Sequence, residues 1–438
     1  RLKINPRRKA HTDMASTPRT HTRTSTPARK HDRRAGGARA GKPTLPRVGE
    51  EMWALVYDAE RDRWDKTRGF RREKVAKPEL DPKDPLDASA VILKVKFTGF
   101  CGSDAGIWFR SSFKNMIHDS LKAEGKTTRV IGHEVFGEVA EVGAVAAAHY
   151  GLKKGELVAA ESHIVCGRCH QCLIGQRHVC TDERIIGISR DGGFAEYIKL
   201  PASVIWRTDV AKIRPEVAVV QEPFGNAVHA CTAVDLRGKS VAIFGCGAIG
   251  QFTIMIAKAL GASRVIGIEP NPINAELAEK LGADEVVSFK IDAAADERNG
   301  WKAYPDVVQK VVRFSGIDGV DVAMEMAGHN SSVNNALQSV RRGGDVVLFG
   351  LKSGDFKIQD FQRTIVKGIR MHSVIGRRLF ETWELTKNLL ESRENGIQDK
   401  IWNIMLNRGK DTIVDAEDFD PATFEKKIGK HPKLIIRW

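Results

Sequence analysis

Four cysteines have the spacing of a closed zinc site. Cys166, Cys169 and Cys172 are separated by two residues each, and seven residues stand between Cys172 and Cys180. Zn²⁺ prefers four tetrahedral ligands, and short gaps allow the chain to wrap around one ion so that every thiolate reaches it. Because four thiolates leave no open position for a substrate, the spacing predicts a structural zinc lobe. The alternatives are two disulfides or four buried free thiols.

A glycine-rich turn has the setting of a dinucleotide-binding site. It follows a short apolar run, residues 240–244, that predicts a buried strand, and it precedes a helical run over residues 251–260. In this pattern the glycines permit a tight turn, close approach of the backbone to a pyrophosphate, and close packing of helix on strand. The residues assigned to the cofactor are Gly245, Gly247, Ala248, Ile249, Gly250 and Glu269.

Glu269 ends the next predicted strand, at the distance of about 20 residues where dinucleotide-binding folds carry an acid. A carboxylate there accepts hydrogen bonds from the adenosine ribose and repels a 2′-phosphate. The sequence therefore predicts NAD in preference to NADP. The alternative is an ordinary charge at the end of a strand.

A second set of metal-binding residue types is spread along the chain. Cys101 opens the string Cys-Gly-Ser-Asp after an alternating, strand-like run, His133 and Glu134 are adjacent, and Glu222 comes much later. Together with the cysteine lobe and the glycine-rich turn, this order of motifs resembles the zinc-dependent medium-chain dehydrogenase/reductase superfamily over residues 52–438.

The resemblance implies a catalytic zinc with one open position. It makes Cys101 and His133 ligands, Glu134 a ligand or a near neighbour with a catalytic role, and Glu222 an acid that binds the metal directly or through water. Which of the two acids is the direct ligand stays open. Asp104 would accept the second ring N–H of His133 and fix its tautomer. With the lobe, this gives two zinc ions per chain.

The reaction implied by the resemblance is hydride transfer from a secondary alcohol to NAD. Zinc would lower the pKa of the substrate hydroxyl, Ser103 would accept its proton, and His163 would release that proton at the surface. The alternatives are a turn serine beside a metal ligand and a solvated or core histidine.

Three strings are similar to those of the L-threonine 3-dehydrogenase family, at residues 161–167, 221–229 and 376–383. They imply a 2-amino-3-hydroxy acid substrate, whose carboxylate suits an arginine fork at Arg377 or Arg378. The alternative is a polyol, diol or sugar dehydrogenase of the same superfamily.

Two features depart from that family. Gly106 replaces the histidine usual after the Cys-Gly-Thr-Asp motif, and the loop over residues 110–129 is longer. The loop either reshapes the substrate pocket or is decorative, and both interpretations stay open.

The elements that must position these residues indicate an α/β protein. We predict a doubly wound parallel Rossmann sheet and a mainly β GroES-like catalytic domain that carries the zinc lobe. Later strands are predicted near residues 286–287, 320–324 and 344–350, with a helix over residues 331–340. The predicted domains are a basic N-terminal extension (1–50), the catalytic domain (51–230), the NAD-binding domain (231–372) and a C-terminal return to the catalytic domain (373–438).

The net charge of +14 is concentrated at the front of the chain. Residues 1–50 hold 14 Lys or Arg against 3 Asp or Glu, so the remaining residues carry only +3. The extension is polar and lacks periodicity, which predicts disorder. An organelle-targeting segment, a solvated tail and translated upstream sequence stay open as interpretations, since the chain begins with Arg1.

Cysteine usage suits a reducing compartment, so we expect a cytoplasmic protein unless the extension targets it elsewhere. No apolar run approaches the length of about 18 residues that a membrane span needs. The expected partners are a small secondary alcohol and further copies of the chain, as a homotetramer or dimer. A function of another class would be a non-catalytic nucleic-acid-binding protein that uses the basic extension, but the intact ligand set argues against it.

Overall fold

The structure is a computed structural model that describes residues 50–291, 300–351 and 355–438. The predicted disordered extension, apart from Glu50, lies outside the described residues. Among the described helices, none combines the length and the apolar character that crossing a bilayer would require.

The part of the chain before the glycine-rich turn is mainly β, as predicted. Its strands are β1 (Glu51–Asp58), β2 (Arg71–Ala76), β3 (Ala90–Phe100), β4 (Thr128–Val130), β5 (Glu134–Val142), β6 (Leu157–Ala160), β7 (His163–Ile164), β8 (Arg184–Ile185), β9 (Tyr197–Pro201) and β10 (Ile205–Arg207). Its helices are α1 (Pro85–Ala88), α2 (Gly102–Trp108), α3 (Lys114–Glu124), α4 (Ala144–Tyr150), α5 (His170–Leu173), α6 (Pro215–Ala218) and α7 (Gln221–Thr232). Strand β1 pairs with β2 and β4, whereas β3, β5, β6 and β10 belong to a larger sheet.

The following part is a doubly wound sheet. Its strands are β11 (Ser240–Phe244), β12 (Arg264–Ile268), β13 (Glu285–Val287), β14 (Val320–Glu325), β15 (Val340–Leu348) and β16 (Arg370–Ser373). Its helices are α8 (Ala248–Ala259), α9 (Pro272–Leu281), α10 (Pro305–Ser315), α11 (Asn330–Ser339) and α12 (Phe361–Val366). The strand order is β13-β12-β11-β14-β15-β16 and each neighbouring pair is parallel, which is the order of dinucleotide-binding sheets. All five residues of β11 are buried, as a central parallel strand requires. The predicted fold class is confirmed.

The end of the chain returns to the first large sheet. It contains α13 (Glu381–Glu391), α14 (Ile397–Lys400), β17 (Ile413–Asp415), α15 (Pro421–Ile428) and β18 (Leu434–Arg437). Strand β18 pairs antiparallel with β3, so that Leu434 lies opposite Phe100, the residue before Cys101. The predicted domain limits stay a prediction.

The long loop over residues 110–129 is held against the protein by one buried arginine. Arg129 has no exposed surface, and its guanidinium donates to Asp191 at 2.9 Å, to Glu124 at 3.1 Å and to Ser120 at 3.0 Å. The segment therefore folds as a fixed element around helix α3.

The same loop fills the space beside Gly106. A Cβ atom added at Gly106 would lie 3.0 Å from the Cβ of Ser112, which is closer than nearly all real contacts. The missing side chain at Gly106 and the long loop are therefore one structural feature, because Ser112 takes up that space.

Candidate metal centre and cofactor site

The four cysteines of the predicted lobe converge. Their sulfur atoms all lie within 4.8 Å of one another, and those of Cys169 and Cys180 are 3.9 Å apart. Zn–S bonds of about 2.3 Å give a tetrahedral edge of about 3.8 Å, so the cluster has the size of one zinc site. The cysteines are free thiols, which removes the two-disulfide alternative for this lobe.

Backbone N–H groups support thiolate charge in the lobe. The N–H groups of Cys166 and Asp182 point at the sulfur of Cys180 at 3.3 and 3.4 Å. Donation from Thr181 and Cys172 lowers the pKa of Cys169 to about 5, whereas burial raises the pKa of Cys172 to about 12 and also raises the pKa of Cys180. A thiol must lose its proton to bind a metal, so these donors favour the metal-binding form.

A second cluster brings together Cys101, His133 and Glu134, whose ligand atoms also lie within 4.8 Å of one another. Antiparallel pairing of β3 with β5 places Gly99 opposite Glu134, so the end of one strand meets the start of the other. His133 and Glu134 are buried. Glu222 is not part of this close group, but its charge is near enough to raise the pKa of Glu134.

Two carboxylate oxygens in this region are buried without a partner. Oε1 of Glu134 and Oε2 of Glu222 each lack a hydrogen bond. A buried carboxylate oxygen that is left unpaired is costly, and a cation bound by the cluster would give the Glu134 oxygen a partner and would attract the nearby charge of Glu222. Thiolate, imidazole and carboxylate are the donor types that zinc takes in proteins, so the residues fit the predicted metal.

Asp104 touches two of the candidate ligands. Its Oδ1 lies 3.3 Å from Nδ1 of His133, without the direction of a hydrogen bond, and its Oδ2 accepts from the backbone N–H of Cys101 at 2.9 Å. Burial lowers the pKa of His133, but the charge of Asp104 outweighs this and leaves the pKa well above its usual value. Because Asp104 faces Nδ1, the other ring nitrogen, Nε2, is the one that would bind a metal. In this structure Nε2 contacts Ser103 Oγ at 3.2 Å.

Lys433 is a site residue that the sequence did not reveal. Its buried ammonium contacts Oε2 of Glu134 and donates to the carbonyl of Phe100 at 3.2 Å. Burial raises the pKa of Glu134, and the charge of Lys433 opposes that rise. The only sequence signal is one lysine before the apolar run that forms β18.

Arg377 is buried in a network of acids and does not face a substrate. Its guanidinium donates to Glu161 at 2.7 Å, pairs with Glu222 at 2.8 Å and donates to Ser162 at 2.8 Å. Only 2% of the residue is exposed. The interpretation of Arg377 as a fork for a substrate carboxylate is wrong, because the protein's own carboxylates occupy it. The side chain of Arg378 is 40% exposed, and among the described residues it forms an ion pair with Glu381 alone, at 3.1 Å.

His163 lies beside this network. Its Nδ1 is 2.8 Å from Glu183, and its backbone N–H donates to Glu161 at 2.9 Å. Its Nε2 would be 4.0 Å from a Cβ atom built on Gly376. In the described part of the chain no hydrogen bond joins Ser103 to His163, so the proton route stays a prediction.

The glycine-rich turn has the form that the pattern predicts. Gly245 has φ of +95°, and a Cβ atom at Gly250 would lie 2.0 Å from the carbonyl oxygen of Gly245. At Gly247 a Cβ atom would meet nothing within 4 Å, so the backbone there is open to a ligand at the start of helix α8.

Glu269 is fixed at the edge of a cavity of about 590 Å³ that Gly245 also lines. Its carboxylate accepts from the backbone N–H groups of Cys246 at 2.7 Å and Asn271 at 2.8 Å. A second cavity, of about 260 Å³, is lined by both Cys101 and Gly247. The metal-binding cluster and the glycine-rich turn therefore open onto one cleft.

One wall of the larger cavity depends on a buried asparagine that the sequence did not single out. The side-chain amide of Asn334 donates to the carbonyls of Trp301 at 2.6 Å and Lys357 at 2.9 Å, and its oxygen accepts from Gln359 at 2.7 Å. Trp301 and Lys357 both line the cavity. Asn334 thus ties two separate segments of the wall to helix α11.

Two family models match the chain. Residues 87–211 match the alcohol dehydrogenase GroES-like domain, and residues 248–392 match the zinc-binding dehydrogenase model. L-threonine 3-dehydrogenase from Caldanaerobacter subterraneus is 36% identical over 315 residues, which are 72% of this chain and 82% of that protein. L-threonine 3-dehydrogenase from Pyrococcus horikoshii is 39% identical over 316 residues, which are 72% and 83% of the two chains.

Solved structures share the fold at lower identity. 2R,3R-butanediol dehydrogenase from Bacillus subtilis has a TM-score of 0.68 at 22% identity and covers 88% of this chain and 99% of its own. An alcohol dehydrogenase from Escherichia coli, solved with NADH, has a TM-score of 0.66 at 23% identity and covers 89% and 100%. Likeness at this identity speaks for the architecture alone.

Proposed function

Because this chain belongs to the zinc-dependent medium-chain dehydrogenase/reductase superfamily, we propose that it oxidises L-threonine, or a close 2-amino-3-hydroxy acid, at C3. It is an oxidoreductase that acts on a CH–OH group and uses zinc and NAD. The observation that supports this choice of substrate is the sequence identity of 36–39% to L-threonine 3-dehydrogenases across more than four fifths of their length. The C3–H hydrogen would leave with its electron pair to NAD and the hydroxyl would lose its proton, which gives the 2-amino-3-keto acid.

Cys101, His133 and Glu134 are the proposed ligands of the catalytic zinc, with Glu222 as the further acid. The unpaired oxygens of Glu134 and Glu222 support these ligands, because each is a buried acceptor that receives no hydrogen bond from the protein and that a cation could use. When bound, zinc supplies a Lewis acid that acidifies the substrate hydroxyl, and NAD supplies the hydride acceptor. The four cysteines of the lobe are the proposed ligands of the structural zinc.

The protein's own groups would position the substrate and remove its proton. Ser103 is the proposed first acceptor, supported by its hydroxyl lying 3.2 Å from a ring nitrogen of His133. His163 is the proposed exit group, since Glu183 holds its Nδ1 and leaves Nε2 to exchange a proton. Burial of His133 and Glu134 keeps bulk water out of the cluster, which strengthens charge interactions there.

Cofactor choice follows from Glu269. Two backbone N–H groups hold this carboxylate at the cavity edge, and a 2′-phosphate beside it would meet a fixed negative charge. NAD is therefore the proposed preference over NADP.

We also propose a homo-oligomer, a dimer or a tetramer, in a reducing compartment such as the cytoplasm. Strand β16 pairs with β15 along one side and ends the doubly wound sheet, so its outer edge is a surface for a second copy. Exposed apolar residues, Met371 on β16 and Ile365 and Val366 on α12, accompany that edge. All seven cysteines are free thiols, which suits a reducing environment.

A neutral diol is the second candidate substrate. The observation in its favour is that Arg377, one of the two arginines suited to a carboxylate, is already occupied by Glu161 and Glu222. A non-catalytic nucleic-acid-binding role has no support, since its basic extension lies outside the described residues and the relatives named above are dehydrogenases.

A screen of NAD reduction distinguishes these candidates. The purified zinc-loaded protein is incubated with NAD and L-threonine, butane-2,3-diol, sorbitol or glucose, and NADH formation is followed by absorbance. We expect the highest kcat/KM with L-threonine. Turnover of a diol, polyol or sugar without turnover of L-threonine would replace the proposed substrate.

A further inference from the structure

A third cavity lies away from the dehydrogenase cleft. Its volume is about 680 Å³, and it shares no lining residue with the two cavities that contain Gly245 and Gly247. It is formed by the ends of β2, β4, β8 and β9 and by the loop that contains Arg190. We call it the Arg190 pocket.

The wall of the Arg190 pocket is strongly basic. Its cationic side chains are Lys77, Lys126, Arg184, Arg190 and Lys199, whereas its acidic side chains are Glu124 and Asp191. Both acids are already occupied, because Arg129 and Lys126 contact each of them.

The three lysines also have partners. Lys126 pairs with Asp191 at 2.9 Å, Lys199 with Asp87 at 2.8 Å and Lys77 with Glu50 at 2.6 Å. Among the cationic side chains of the wall, the two arginines are therefore the ones that are left without a direct ion pair.

Arg184 and Arg190 have no such partner. In the described part of the chain neither guanidinium makes a hydrogen bond or an ion pair. Arg184 is exposed and Arg190 is partly buried. Burial lowers the pKa of Arg190, the charges of Asp191 and Glu124 oppose that shift, and the charge of Arg184 adds to it. A partly buried guanidinium that makes no direct hydrogen bond or ion pair is costly even with acids nearby, and a second guanidinium adds repulsion. A bound anion would give both guanidinium groups a direct partner.

The rest of the pocket suits the body of a small organic molecule. Met52, Val130 and Ile198 are buried apolar residues of the lining, and the ring of Tyr197 stands beside them. Lys77 Nζ lies over that ring, 4.4 Å from its centroid. An anionic head would thus meet the arginines while a short carbon body covers the apolar surface.

We propose that the Arg190 pocket binds a small dianion, a phosphate monoester or a dicarboxylate, through the guanidinium groups of Arg190 and Arg184. Planar guanidinium forks match the oxygen pairs of phosphate and carboxylate and bind them through two parallel hydrogen bonds. The site is independent of the proposed dehydrogenase reaction, because it shares no residue with the cleft.

Calorimetric titration of the full-length, zinc-loaded protein tests the site. Inorganic phosphate and succinate are the probes, and saturating NADH occupies the glycine-rich turn so that phosphate binding there does not contribute. We expect saturable binding of at least one probe. Charged hydrogen bonds are typically worth about 1.5–3 kcal/mol, so R190Q should weaken that binding by roughly 10- to 150-fold, and R184Q should weaken it less.

The matched control is R237Q. Arg237 is also an arginine, with its side chain 80% exposed and paired with Asp235, and it is not part of the pocket. R237Q should bind both probes as the unmodified protein does. Whichever probe binds more tightly identifies the ligand as a phosphate or a dicarboxylate.

Two results would overturn the site: no saturable binding of either probe to the unmodified protein, or equal affinity in R190Q and R237Q. If R190Q does not fold, R190K takes its place. Lysine keeps the charge but lacks the fork, so R190K should still bind several-fold more weakly than R237Q. Equal affinity of R190K and R237Q would then reject the proposal.

Discussion

Lys433 and Glu134 form a buried ion pair at the candidate metal centre, although 299 positions separate them in the sequence. The pairing of β18 with β3 brings them together, because it places the end of the chain beside the strand that leads to Cys101. Lys433 holds one oxygen of Glu134, and the other oxygen is left without a partner. The C-terminal segment therefore completes the surroundings of a proposed metal ligand.

Replacing Lys433 by Met should lower the free energy of unfolding, and the loss should be larger in the metal-free protein than in the zinc-loaded protein. Removing one partner of a buried pair leaves an uncompensated charge, which typically costs about 3–5 kcal/mol. Zinc would neutralise part of the charge on Glu134, so the loss should be smaller in the zinc-loaded protein. Urea denaturation with chelator and with zinc measures both losses. K122M, at an exposed lysine, is the control, and equal losses for K433M in the two conditions would contradict this view.

The zinc content should be about two ions per chain, given the two clusters of ligand types. Replacing Cys172 by Ser removes one thiolate from the lobe and should reduce the content to about one while lowering the melting temperature. Elemental analysis of the purified protein measures this. C231S changes a buried thiol that lies in neither cluster and should retain both ions. Protein without zinc would remove the basis of both sites.

The local patterns of this chain were sufficient to predict the cysteine lobe and the doubly wound sheet. The four cysteines lie within fifteen consecutive positions, and the glycine-rich turn stands directly between its strand and its helix. Short-range spacing therefore determines both features. Prediction from sequence was wrong or incomplete where a partner comes from far away. Arg377 meets Glu161 216 positions earlier, and no local pattern reveals that a buried carboxylate occupies its guanidinium.

Replacing Glu269 by Ser should narrow the preference for NAD over NADP. The change removes the carboxylate that would repel a 2′-phosphate and leaves a hydroxyl that still accepts a hydrogen bond from the ribose. The ratio of kcat/KM for the two cofactors is the measurement. E276S, at a solvent-exposed acid on the next helix, should leave the ratio unchanged. Equal use of NAD and NADP by the unmodified protein would overturn the role of Glu269.

Asp345 should make stability depend on acid pH. Hydrogen bonds and charge from Arg370, and then from His372, lower its pKa to about 2. Because the folded pKa lies below the unfolded value of about 4, the stabilisation is fully present above pH 4 and is lost as the pH falls toward 2. Arg370 is 62% exposed, so solvent screening reduces the contribution to about 1 kcal/mol. The difference in unfolding free energy between the protein and D345N should shrink from pH 7 to pH 3, and a constant difference would disprove the assignment.

The substrate prediction now depends on Arg378. A zwitterionic amino acid needs a partner for its carboxylate, and Arg377 is not available because Glu161 and Glu222 occupy it. Arg378 is half-exposed, and its ion pair within the described part of the chain is with Glu381, at 3.1 Å. The charge of Arg378 adds to burial in lowering the pKa of His178 and of His229. Nδ1 of His229 contacts the carbonyl of Gly376, and His163 also lies near Gly376, so Arg378 and His163 are in the same region of the protein.

Replacing Arg378 by Ala should lower kcat/KM for L-threonine by roughly 10- to 150-fold, since a lost charged hydrogen bond costs about 1.5–3 kcal/mol. The same variant should retain its zinc, its affinity for NADH and any activity on butane-2,3-diol, which has no carboxylate to recognise. R393A, at another arginine of the C-terminal part, is the control and should leave threonine kinetics unchanged. A threonine kcat/KM that R378A does not alter would mean that no arginine of this string recognises a carboxylate. A neutral diol would then be the better candidate substrate, because it has no carboxylate that needs an arginine partner and Arg377 is already occupied.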